Sequence, residues 1–77
     1  MKLTTLDKVP LNTVAVINTI KCSEKVKNRI IDMGIIENEK IVPIFKSPFK
    51  DPVAYLVKNT IIALRTEDSK NIFVKII

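Results

Sequence analysis

The chain has 77 residues, 47% hydrophobic and 27% charged, and its 13 basic and 8 acidic side chains give a net charge of +5. That length predicts one domain across residues 1–77, and the apolar fraction excludes general disorder. With no histidine and a single cysteine, Cys22, the composition excludes an internal disulfide, a histidine general base and a clustered Cys/His metal site.

Taken in chain order, the first residues, Met1 to Asp7, lack the apolar run of a signal peptide and carry an early acid. No stretch approaches the ~18 apolar residues needed to span a membrane, so the expectation is a cytoplasmic protein. Val14–Ile20 is rich in β-branched residues and bounded by turn formers, which predicts a strand. From Ser23 to Gly34, Val26, Ile30 and Met33 recur at i, i+4 and i+7 and predict a helix near residues 24–33. Ser23 suits its N-cap, Glu24 its positive end, and Gly34 a left-handed C-terminal turn.

Ile41–Phe45 reads as a strand in which Pro43, lacking an N–H, requires an edge or a bulge. Ser47 to Pro52 is a loop. Val53–Val57, the turn Lys58-Asn59 and Thr60–Leu64 form a hairpin pattern. Thr66 to Ser69 suits one helical turn capped by Thr66, and Ile72–Ile77 closes the pattern as a fifth strand. Five short strands and one helix predict a small barrel, which also removes most free edges.

Read together, these segments resemble the FeoA family, small cytosolic proteins of bacterial ferrous iron uptake. The resemblance runs from Leu3 and Leu6-Asp7 through Val14–Ile20 and is strongest at Arg29-Ile30-Ile31-Asp32-Met33-Gly34-Ile35. It resumes at Pro48-Phe49-Lys50-Asp51-Pro52 and Ile61-Ile62-Ala63-Leu64-Arg65, and ends at Ile72-Phe73-Val74. Asn12, Asn38 and Asn59 stand where the family usually has glycine, and Lys50 replaces its loop glycine. Asparagine tolerates the left-handed conformation better than other non-glycine residues, so three of the four changes keep the turn chemistry.

Candidate chemistry is sparse. Cys22 lies at a strand-to-helix junction, where a thiol can be activated, but a small half-buried turn residue is the simpler reading. Asp32, Glu37 and Glu39 border the turn after the helix and suit solvation of that connection. No glycine-rich loop is present to hold a phosphate. The expectation is therefore no catalytic residue, no cofactor and no metal, with a weak carboxylate site at Glu37 and Glu39 as the metal alternative. Nucleic acid is also not expected: Phe45 and Phe73 fall in apolar strands and read as core. Phe49 and Tyr55, even if exposed, make a poor stacking platform.

What remains is protein binding. Ile31 lies off the Val26–Ile30–Met33 face, and Ile35-Ile36 follow Gly34. One reading packs Ile31 and Ile35 under the barrel lip. The other makes Ile31 and Ile35, with Phe49, an exposed apolar patch, and rims it with Lys25, Lys27 and Arg29 to steer an acidic partner. The contact residues expected are Lys27, Arg29, Ile31, Ile35 and Phe49. The resemblance implies an SH3-like small β-barrel with one inserted helix. It also implies a non-enzymatic accessory role, binding the cytosolic GTPase-containing part of a membrane ferrous iron transporter, with any membrane association only through that partner. The alternatives are a free-standing counterpart of the SH3-like C-terminal domain of metal-dependent repressors and a basic nucleic-acid-binding barrel.

Overall fold

The computed structural model describes residues 3–49 and 51–77. Its strands are β1 (Leu3–Thr5), β2 (Ala15–Ile20), β3 (Lys40–Lys46), β4 (Val53–Val57), β5 (Thr60–Leu64) and β6 (Ile72–Ile76). Helix α1 (Glu24–Asp32) lies between β2 and β3, and the single turn α2 (Thr66–Ser69) between β5 and β6. A 3₁₀ turn covers Leu6–Lys8.

Six strands form where five are expected. β1 has only the residues Leu-Thr-Thr, too few to show an alternation, and it exists because β6 offers it a partner. The strands form one antiparallel sheet in the order β1-β6-β2-β3-β4-β5. β1 and β5 end that order without pairing to each other, so the sheet is not closed into the expected barrel. The β2–β3 ladder is short, matching Ala15 with Ile41 and Val16 with Lys40, and it joins the β1-β6-β2 half to the β3-β4-β5 half. Inner side chains of both halves, among them Ile17, Ile41, Tyr55, Leu64, Ile72 and Val74, share one core with Ile30 of α1.

The local chemistry follows the sequence closely around α1. Ser23 is the N-cap, with its Oγ accepting from the Val26 N–H at 3.4 Å. Met33 caps the C-terminus and Gly34 takes φ +96°. Gly34 N–H donates to Ile31 O at 2.9 Å and Ile35 N–H to Ile30 O at 3.4 Å, the paired bonds of a Schellman turn. A Cβ at Gly34 would meet no atom within 4 Å, so it is the backbone angle and not space that calls for glycine.

Three expectations are corrected. Phe45 is 60% exposed, not core. The pairing of β3 with β4 shifts between Pro43 and Phe45, and this bulge moves Phe45 to the outer side, where unbroken alternation from Val42 would have turned it inward. Tyr55 is buried at 1% exposure, because Val53, Tyr55 and Val57 form the inward set of β4. Thr66 is the first residue of α2, with Arg65 as its N-cap. The capping acceptor comes from a distant residue: Asp51 Oδ1 accepts the Thr66 N–H at 2.8 Å and its hydroxyl at 3.2 Å.

Candidate partner-binding surface

A surface able to hold another protein needs exposed apolar side chains with little entropy to lose, bordered by charge that sets orientation. α1 supplies both. Its core side holds Ile30, with Val26 and Met33 packed at the margin. Ile31, one position on from Ile30, turns about 100° away around the axis and is 38% exposed. Ile36, beyond the Schellman turn, is 37% exposed. Ile20, Lys27, Ile31, Ile36 and Glu37 line one hollow of about 230 Å³. Lys27 and Ile31 share it because they are four residues apart on one helical face.

The other expected contact residues fall elsewhere. Ile35 is fully buried, corrected from a surface contact to a core side chain. The left-handed step at Gly34 folds it back beneath the helix end. Arg29 is two residues from Lys27 and so points to the opposite flank of α1. There its Nη2 donates to Asp68 Oδ1 of α2 at 3.0 Å, which makes it a strut between two elements and not a rim of the hollow. Phe49 is 89% exposed at the tip of the loop between β3 and β4. That loop is tied to the start of α2 through Asp51 on Thr66 and an Arg65–Asp51 ion pair at 3.7 Å, and it is braced internally by the Ser47 hydroxyl donating to Asp51 O at 2.7 Å. Phe49 thus stands apart from the residues that line the hollow. Lys50 lies outside the described residues.

Ile20 and Glu37 belong to the hollow and were not expected there. Ile20 reads as a strand residue and Glu37 as a turn acid, and only the return of the chain after Gly34 brings them beside Lys27. Among the described residues, no three His, Cys, Asp or Glu side chains converge as metal ligands. Glu39, half of the weak carboxylate alternative, is paired with Lys58 at 3.3 Å. Cys22 is half-buried against the core margin. No helix among the described residues is long and apolar enough to cross a membrane.

An open antiparallel sheet with one inserted helix and an apolar hollow beside that helix defines a small SH3-like fold. The model of the FeoA domain matches residues 4–76, and the chain belongs to the FeoA domain family, whose members include ferrous iron transport proteins. A FeoA-like protein from Clostridium acetobutylicum superposes with TM-score 0.91 at 28% identity, covering 100% of this chain and 90% of that one. FeoA from Stenotrophomonas maltophilia, solved with zinc and described as a prokaryotic SH3 domain protein, gives TM-score 0.80 at 26% identity over 94% and 89% of the two chains. Iron(II) transport protein A from Clostridium thermocellum gives TM-score 0.91 at 23% identity over 96% of this chain. This chain spans 46% of that protein's length. The fold also recurs in IdeR of T. acidophilum, with TM-score 0.86 at 19% identity, where it spans 35% of that chain. Comparison with curated proteins finds no match.

Proposed function

We propose that this domain is a non-enzymatic accessory protein of bacterial ferrous iron uptake that binds the cytosolic, GTPase-containing part of the ferrous iron transporter through the hollow beside α1. The observation that carries the reading is the pairing of Ile31 and Ile36, both exposed, with Lys27 at the edge of one concavity, in a chain of the FeoA domain family. The apolar floor supplies affinity and Lys27 speeds encounter with an acidic partner. The reading places the protein in the cytoplasm, at the membrane only through its partner, and gives Arg29 and Ile35 supporting rather than contact roles. Phe49 serves as a second, separate contact.

The test is a calorimetric titration of the chain with the transporter's isolated cytosolic domain. Ile31→Asp sets a carboxylate against an apolar partner surface and costs on the order of 2–5 kcal/mol of binding. Lys27→Glu slows association and weakens its dependence on low salt. Ile31 is partly exposed, so the Ile31→Asp chain keeps its circular dichroism spectrum. A folded Ile31→Asp variant that binds as tightly as the parent rules out this hollow as the interface.

A further inference from the structure

The outer side of β3, β4 and β5 carries a second apolar surface, separate from the hollow beside α1. Strand register sets two rows on it, Val42–Leu56–Ile61 and Phe45–Ala54–Ala63. Phe45 is 60%, Ile61 66% and Leu56 37% exposed. An antiparallel sheet with one face on the core normally alternates apolar-in with polar-out. Here the inward Val53, Tyr55, Val57 and Leu64 are core, yet the six outward residues of the two rows are apolar as well.

β5 also ends the sheet, so the backbone donors and acceptors on its far side have no strand partner. Edge strands are usually blunted by lysine, proline or an inward charge, and Thr60-Ile61-Ile62-Ala63-Leu64 contains none of these. The charges lie around the face instead, and they are unbalanced. Glu39 and Asp51 are each matched, to Lys58 and Arg65. Lys40 and Lys46, at the two ends of β3, are exposed and form no ion pair among the described residues. Lys40, with the paired Lys58 and Glu39 and with Val42 and Leu56, lines an open hollow of about 440 Å³ at the turn end of β4 and β5.

We propose that β5 accepts an extended segment of another protein as an additional strand, apolar on the side that meets Ile61 and Ala63 and acidic at its ends. The added backbone satisfies the β5 edge, the apolar side chains extend the two rows, and the acidic ends complement the unpaired Lys40 and Lys46 that flank those rows at their two ends. Charge selects this occupant over a second copy of the chain. An antiparallel β5–β5 pair centred on Ile62 sets Arg65 of each copy opposite Asn59 of the other, next to Lys58, on two molecules each carrying +5. A nucleic acid fits poorly, because the face itself is uncharged and offers Phe45 as its one aromatic.

The experiment titrates the isotope-labelled full chain with the capped peptide Glu-Glu-Val-Thr-Val-Thr-Val-Glu-Glu and its lysine-ended counterpart. The expected result is amide shift changes and slowed hydrogen exchange over Thr60–Leu64, with Phe45 perturbed, and at least tenfold weaker binding of the lysine-ended peptide. Ile61→Lys, an exposed change, lowers affinity for the acidic peptide at least tenfold with an unchanged circular dichroism spectrum. Ile31→Asp leaves that affinity unaltered, which separates this site from the hollow beside α1. The proposal is overturned by an absence of shifts at millimolar peptide, by shifts centred on α1, by β5 protection that rises with protein concentration alone, or by an oligothymidylate that perturbs the same residues more strongly.

Discussion

Asn12, Asn38 and Asn59 carry φ of 64°, 71° and 64°, the left-handed region that most side chains avoid. Each serves a different junction. Asn12 N–H donates to Pro43 O at 2.6 Å, and Asn38 N–H donates to Ile17 O at 2.8 Å. Asn59 follows Lys58, itself at φ 49°, and two left-handed residues in succession give a hairpin turn whose twist matches its strands. Replacing Asn59 by alanine should therefore cost about 1–2 kcal/mol, while glycine keeps stability within about 0.5 kcal/mol. Urea unfolding of the two variants gives the comparison. Tyr55 makes a second case. Burial raises its phenol pKa above the ordinary 10.0; the adjacent Ser69 hydroxyl pulls it back, and Asp7 and Asp51 add to the rise. The folded state thus favours the neutral phenol. Its contribution is intact below pH 10.0 and is lost as pH rises beyond that value, because the unfolded chain then ionises first. Tyr55→Phe should flatten the alkaline fall of the urea midpoint, and an unchanged slope contradicts this account.

At the scale of elements, α1 shows how a nine-residue helix divides its circumference. Ile30 faces the core, Lys27 and Ile31 face the hollow, and Arg29 reaches Asp68 on the far flank. The Arg29 side chain is 60% exposed, so its ion pair is worth about 0–1 kcal/mol after solvent screening. Arg29→Ala should lower the thermal midpoint by a few degrees at most and leave affinity for the transporter domain within about twofold. A large loss of affinity assigns Arg29 to the interface after all. The three-four spacing set Ile31 off the core face without deciding between a place under the barrel lip and exposure, while the cap at Ser23 and the stop at Gly34 were legible in the sequence. The fate of Ile35 was not legible, since helical periodicity ends at the cap and the left-handed step decides where the next residue points. Phe45 was hidden in the same way. A bulge inverts inside and outside along a strand, and only the partner strand reveals it. Asp51 read as a loop residue, and nothing local marks an acceptor that caps a helical turn 15 positions later.

At the scale of the whole molecule, the segments that became β2 to β6 stood out because β-branched runs separated by turn residues persist whatever their partners. Their arrangement did not, because closure depends on whether the outer strands meet, and β1 and β5 do not. The placement of β6 sets a constraint of another kind. It lies between β1 and β2, pairing Leu3 with Lys75 on one side and Ile17 with Val74 on the other. During synthesis β1 and β2 leave the ribosome early, yet the strand that joins them arrives only after residues 72–76 have been added. Until then half the sheet has no centre, and Ile17 and Leu6 have no Val74 or Ile72 to cover them. The β3-β4-β5 meander, made of near neighbours in sequence, can form without waiting. On refolding from denaturant, amides of the β3-β4-β5 meander should therefore gain protection from hydrogen exchange ahead of those of the β1-β6-β2 half, and simultaneous protection of the two halves contradicts this order.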